Sequence, residues 1–227
     1  MSGNRILVLI DGFNYYHKLK AYQKHFGECV KWLNYRSLAE SWLQDIDDKN
    51  SVEIFYFSAI ARFRGAESAA RHMNYIKALE SVNIKCVLGE FKSKKLQKCC
   101  NHERCQNCES EQDTKKLQRW EEKNSDVNLA ITLLEHTISD KYDKCFILSA
   151  DNDFASAIKR AKEIAPEKRI IISPPPLSQK KIPQKRQYKI EGLENACQST
   201  ALLTNFYTIK KHQFSDEFRG IVNPWKN

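Results

Sequence analysis

Continuous apolar runs alternate along this chain with stretches whose apolar positions recur every three or four residues. Arg5 to Ile10 (RILVLI) is unbroken, as expected of a strand covered on both faces. It stops at Asp11-Gly12-Phe13-Asn14, where Gly12 permits a tight turn. Tyr15 and Tyr16 follow, either as the first turn of a core-packed helix or as rings on which bases stack. Trp32 to Leu43 carries Leu38, Ala39 and Trp42 at helical spacing, with Asn34 as its candidate cap. Val52 to Ser58 (VEIFYFS) predicts a second strand, Ala66 to Val82 a helix, and Ile84 to Phe91 (IKCVLGEF) a third strand. Lys92 to Lys123 breaks the rhythm, being polar, cysteine-rich and too short of apolar residues to build a core. A helix over Ser125 to Ile138, a fourth strand over Lys144 to Ser149 and a helix over Asp153 to Ile164 resume it. Arg169 to Ser173 is a fifth strand, ending at Pro174-Pro175-Pro176. Alternating strands and helices predict an α/β fold, a mainly parallel sheet with helices on both faces.

Such sheets bind ligands at the carboxyl ends of their strands, near the point where strand order reverses. Asp11 stands after the first strand, Asp151 and Asp153 after the fourth, and Asp126 at the start of the helix before the fourth. Taken singly, each reads as a helix cap or a turn residue. Taken together, they bring carboxylates from three segments to one edge, where a divalent cation would relieve their repulsion. Oxygen donors of this kind suit magnesium or manganese, which can activate water and stabilise charge on a phosphate.

Three stretches carry a likeness to a known family: Leu9 to Asn14 (LIDGFN), Glu122 to Ala130 (EKNSDVNLA) and Leu148 to Phe154 (LSADNDF). In order and spacing they resemble the D-G-x-N, E-K-x-x-D-V-x-L-A and S-x-D-x-D motifs of NYN domains, a branch of the PIN-like nuclease superfamily. The resemblance runs from the first strand to the fifth. It implies a PIN-like three-layer αβα sandwich and a metal-dependent endoribonuclease that hydrolyses phosphodiester bonds, with single-stranded RNA as partner. Carried over, Asp11, Asp126, Asp151 and Asp153 form an acidic site for Mg2+ or Mn2+. Asn14 orients Asp11 or touches the scissile phosphate, and Ser149 supports the aspartates by hydrogen bonding. Glu122 and Lys123 also match the motif, Lys123 as a phosphate contact or a solvated lysine. Thr132 departs from it: many members carry an acid there, which bears on how many metals the pocket holds. The alternative implied is an NYN-fold nucleic-acid-binding module or adaptor, catalytically weak or inactive.

Composition agrees with this class. At 227 residues the chain suits one domain over 1–227, with 92–123 an insertion and 174–227 a proline-rich loop followed by a docking segment. A net charge of +9 favours an anionic partner such as nucleic acid. No apolar run has membrane-spanning length and the first residues lack the form of a signal peptide, so a cytoplasmic protein without a membrane partner is expected. No Gly-x-Gly-x-x-Gly fingerprint for a redox dinucleotide is present.

The insertion adds its own chemistry. Of eight cysteines, Cys99, Cys100, Cys105 and Cys108 cluster, while Cys29, Cys86, Cys145 and Cys197 stand apart as small core residues. Cys99, His102, Cys105 and Cys108, with Cys100 to spare, suit a closed tetrahedral site for structural Zn2+. A thiol-rich loop, or a site completed by a distant cysteine, is the other reading. Lys92, Lys94, Lys95 and Lys98 precede the cysteines; Lys115, Lys116 and Arg119 follow, with Trp120 as a stacking surface and Lys123 beyond. These residues either grip a nucleic-acid backbone beside the acidic edge or form a solvated face. Further apolar positions from Leu193 to Trp225 predict a tail docked on the sheet.

Overall fold

β1 (Ile6–Asp11) is buried along its whole length, and the other elements are arranged about it. The computed structural model describes residues 5–43, 52–99, 114–176, 191–197, 199–201 and 203–226. After β1 come α1 (Gly12–Phe26), α2 (Tyr35–Trp42), β2 (Val52–Ala59) and α3 (Ala66–Glu80). β3 (Ile84–Cys99), β4 (Thr114–Lys123), α4 (Ser125–Ile138) and β5 (Lys144–Leu148) follow. α5 (Ala155–Ile164), β6 (Arg169–Ile172), α6 (Glu191–Ala196) and β7 (Ser199–Thr200) complete the main body. α7 (Phe206–Lys211), β8 (Glu217–Phe218) and β9 (Ile221–Val222) form the tail.

The sheet has the order β4-β3-β2-β1-β5-β6-β7, parallel throughout except where β4 runs against β3. The chain steps outward from β1 to β3 on one side, then returns to β5 on the other. The switch point therefore lies between the carboxyl ends of β1 and β5, where such folds bind ligands.

Side chains alternate across the pleat, so β1 feeds two cores. Ile6, Val8 and Ile10 pack with Tyr15, Leu19 and Tyr22 of α1, with α2 and with Ile76 and Leu79 of α3. Leu7 and Leu9 pack with Leu129 and Leu133 of α4, Ile158 and Ala161 of α5, and Leu193 of α6. The result is three layers, helix on sheet on helix. Burying one such aliphatic side chain contributes about 1.5–3 kcal/mol, so each alternate face of β1 is a large share of its half of the molecule.

Capping fixes where the helices begin. Asn34 accepts from Ser37 N at 3.1 Å and starts α2, as its sequence position predicts. Asp11 Oδ1 accepts from Asn14 N at 2.9 Å and starts α1, whose fifteen residues end at Gly27 in the left-handed region (φ 74°). Gly12 corrects the sequence reading: it makes no positive-φ turn. A Cβ there would collide with the Tyr56 ring and the Phe57 carbonyl, so glycine is needed for close approach of α1 to β2.

The larger correction concerns the insertion. The third strand was expected to stop at Phe91, yet β3 continues to Cys99 and pairs with β4 from Glu90↔Lys123 to Cys99↔Thr114. An edge ribbon is held by its own backbone hydrogen bonds and needs no apolar core. Lysine-rich sequence is also what keeps an exposed edge from pairing with other chains. The shortage of apolar residues was therefore no mark against a strand.

In the tail, Phe214 is buried and Trp32 Nε1 donates to Ser215 O at 2.8 Å. Trp225 meets Tyr75 edge-on at 5.4 Å between ring centres. Val222, by contrast, points into solvent. Among the described residues no helix is long and apolar enough to cross a membrane.

Candidate functional site

The acidic corner is assembled from three segments. β1 ends in Asp11, buried at the switch point; its Oδ1 takes the Asn14 amide and its Oδ2 takes the Ser149 hydroxyl at 2.8 Å. Ser149 ends the β5 run with no exposed surface, and its Oγ also accepts from Asp151 N at 3.0 Å. Asn14 reaches across from α1, its Oδ1 accepting from Ala150 N at 3.3 Å. One serine and one asparagine thus tie the loop after β5 to the first turn of α1. Asp151 Oδ1 accepts from Asp153 N at 3.1 Å and caps a single 3₁₀ turn, Asn152–Phe154, ahead of α5. The helix predicted to begin at Asp153 therefore begins as this turn with Asp151 as its cap. Asp153 stands exposed.

Asp126 arrives from α4. Neither it nor Ser125 caps that helix; the cap position is Asn124, left-handed at φ 79° and without a side-chain cap bond. Glu122 takes over part of that work, its Oε1 accepting from Ser125 N at 3.0 Å. Gly89 lets this turn pack against β3, since a Cβ there would run into Lys123 O and Glu122 Oε1. Gly89 could have been found from sequence, since a glycine inside a strand marks close backbone approach.

The electrostatics follow from this geometry. Burial pushes Asp11 up to about 6, against the pull of its bonds from Asn14 and Ser149; the charges of Asp126 and Asp151 push it the same way. Burial also raises Asp126 to about 6, reinforced by Glu122, Asp151 and Asp153. Asp11, Asp126, Asp151 and Asp153 make no salt bridge among the described residues. Among the described residues, the corner is a concentration of negative charge without a counter-charge.

The model of the NYN domain matches residues 5–197. The chain belongs to the NYN domain family. That match spans the sheet from β1 to β6 and includes all four aspartates. No curated protein matches the chain. Among solved structures, a protein of unknown function from Vibrio parahaemolyticus is similar, at 14% identity and a TM-score of 0.48, covering 88% of this chain and 95% of that one.

In this NYN chain the donor set is chemically suited to a hard cation: carboxylates throughout, two of them raised by burial and by neighbouring carboxylates. Among the described residues, though, no three acidic, histidine or cysteine side chains stand close enough to grasp one ion jointly. Magnesium is often held by one or two carboxylates, with water and substrate phosphate completing its shell, so the arrangement fits that mode. Thr132, at the family's acidic position, is buried and its hydroxyl donates to Asn128 O at 2.8 Å, which leaves no oxygen of negative charge there.

The remaining predicted residues are distributed differently. Lys92 and Lys123 lie on the ribbon and pair with Glu90 (2.9 Å) and Glu121 (3.1 Å). Such exposed pairs contribute little and yield readily to a phosphate. Lys94 is exposed. Lys95, Lys98, Lys115, Lys116 and Arg119 occupy ribbon positions, with Lys94 opposite Arg119 and Lys98 opposite Lys115; only their backbone is described. Trp120 stacks on Phe63 with centres 4.6 Å apart and planes 3° from parallel, so one of its faces is already taken. Of the zinc set, Cys99 ends β3 with only its backbone described; Cys100, His102, Cys105 and Cys108 lie outside the described residues. Cys145 is buried and burial raises its thiol, in keeping with a core role.

Proposed function

We propose that this chain is a metal-dependent endoribonuclease that hydrolyses phosphodiester bonds of single-stranded RNA at the acidic corner. The observation that carries the reading is the pair Asp11 and Asp126 at the switch point, both raised to about 6 and without a salt-bridge partner among the described residues. Structural aspartates are normally paired or hydrogen-bonded so as to favour their charge; clustered and raised ones in a cleft mark function.

Mg2+ or Mn2+ would be held by one or two of the carboxylates of Asp11, Asp126 and Asp151, with water and substrate phosphate completing its shell and Asp153 at the exposed lip. When bound, the cation would lower the pKa of its water and neutralise charge developing on the phosphate. Ser149 and Asn14 are positioning residues. The first donates to Asp11 and accepts from Asp151 N; the second anchors Ala150 to α1. Glu122 holds the start of α4 and adds charge near Asp126. The ribbon would run alongside the strand of RNA, Lys92, Lys94 and Lys123 meeting backbone phosphates by charge without reading sequence. Zn2+ bound by the cysteine-rich part of the insertion would be structural.

The test is RNA cleavage by purified protein in Mg2+ or Mn2+, with and without Asp151→Asn. Cleavage by the wild type and none by the variant is the expected result. Equal cutting by both would assign the activity to a contaminant. Thr132 favours the second reading, a binding module without chemistry. Salt-sensitive RNA binding with no turnover in either metal would select it.

A further inference from the structure

Across the first turn of α1 from the acidic corner lies a cavity the chemistry above does not use. It opens between α1, α3 and the carboxyl end of β2 and has a volume of about 160 Å³. Phe13, Tyr16, Tyr35 and Tyr56 provide ring walls, and Trp225 of the docked tail closes one side. Lys31, Arg64 and Arg71 line it together with His17 and His72, and among the described residues no carboxylate does. Its opposite sign to the neighbouring corner is the point of interest.

Two kinds of recognition are built into this wall. The first is for an anion. His17 is lowered by burial and then by Arg64, and Lys31 is lowered by burial, with Arg71 and Lys20 adding to the effect against the pull of Cys29. Like charges are thus crowded on the cavity. Arg71 reaches Glu67 at 3.7 Å, an exposed pair that a phosphate can displace. The second is for an uncharged heterocycle. Burial holds His72 down at about 4, so its ring is neutral at physiological pH. Its Nε2 lies 3.3 Å from Ser58 Oγ, which gives the wall polar atoms able to donate and accept. The volume matches that of a protein cavity known to take a single benzene ring, about 150 Å³.

We propose that this cavity is a nucleotide subsite, taking a single-ring base among Phe13, Tyr16 and Tyr56 and its phosphate on Arg64 and Arg71. Aromatic walls stack on a base face, hydroxyl and imidazole groups meet its edge, and guanidinium groups take the phosphate. The ligand is either a nucleotide within an RNA strand or a free nucleotide. In the first case the inference deepens the ribonuclease reading. Gly12 packs against Tyr56, so only the first turn of α1 separates the cavity from Asp11. A strand seated with one base in the cavity would then cross the switch point.

The experiment is calorimetric titration of the full chain with uridine monophosphate, ribose 5-phosphate, inorganic phosphate and a short uridine oligomer. Uridine monophosphate should bind about tenfold or more tightly than ribose 5-phosphate, because stacking of the base adds to the anion contact. Arg64→Glu with Arg71→Glu should weaken it by about tenfold or more, the scale of losing charge-assisted hydrogen bonds. Ser68→Phe, which fills the cavity from α3, should abolish the preference for the base and keep phosphate binding. A thermal melt accompanies each variant; if Ser68→Phe fails to fold, the exposed arginine pair decides. Tighter binding of the oligomer than of the mononucleotide assigns the cavity to a strand; the reverse assigns it to a free nucleotide. Equal affinity for the mononucleotide and ribose 5-phosphate, or no loss in the double arginine variant, overturns the proposal. Asp151→Asn separates the two proposals: it should stop cleavage and leave mononucleotide binding unchanged. Absent cleavage with intact, arginine-dependent nucleotide binding would remove the ribonuclease reading alone.

Discussion

The two edges of the sheet handle aspartate in opposite ways. At the amino edge, before β1, β5 and β6, Asp143 and Asp140 meet Arg5 and Lys168. Arg5 Nη2 reaches Asp143 Oδ1 at 2.7 Å and Asp140 Oδ1 at 3.0 Å, and the buried Lys168 Nζ donates to Asp140 at 2.5 Å and to Tyr142 O at 2.6 Å. Hydrogen bonds from Arg5, then Lys168, hold Asp140 down at about 2, and Arg5 lowers Asp143 likewise. At the carboxyl edge Asp11 and Asp126 are raised to about 6. The first edge uses opposite charges to fasten the starts of three strands. The second gathers like charges and leaves them uncompensated, which costs stability and is retained where a ligand supplies the missing charge.

The largest expected effect is on chemistry. Asp126→Asn should lower RNA cleavage on the order of a hundredfold or more, the scale of losing one preorganised charge-stabilising group. Single-turnover cleavage in Mn2+ checks it; a loss under threefold would break the assignment. Next comes the amino edge. Lys168→Ala should destabilise the fold by about 2 kcal/mol, or roughly 4–8 °C in Tm for a chain of this size, measured by thermal melting. Asp11→Asn should do the reverse in the absence of metal. At neutral pH it removes a buried charge, while the amide oxygen can still accept from Asn14 N and the amide nitrogen can donate to Ser149 Oγ, a gain on the order of 1–2 kcal/mol by urea unfolding.

The smallest effect is the pH profile, and its sign differs at the two edges. Asp140 is lowered, so its stabilisation is present above about 4 and is lost as pH falls toward about 2. Asp11 is raised, so the folded state holds the proton more tightly and metal-free stability declines as pH rises from about 4 to about 6. Melting in chelator across this range should show that decline, and millimolar Mn2+ should flatten it. A decline unchanged by Mn2+ would uncouple the carboxyl edge from metal.

Much of this contrast was readable from the sequence, for physical reasons. Strands with both faces covered show as unbroken apolar runs, which placed Asp11 and Asp151 at strand ends. Ser149 and Asn14 followed from the family motif. Glu122 as acceptor for Ser125 N and Gly89 as a packing gap depend on how a turn meets a strand, a three-dimensional fact with faint sequence marks. The ribbon was missed because backbone pairing leaves no apolar trace. Arg5 with Asp140 and Asp143 spans some 135 residues of sequence and has no motif at all.

Calorimetric titration of the metal-free protein with Mn2+ at neutral pH tests the central claim most directly. Saturable binding that is lost in Asp11→Asn with Asp126→Asn, and unchanged in Asp140→Asn, is the result this account predicts. Binding that survives in the first variant, or is absent from the wild type, would contradict it.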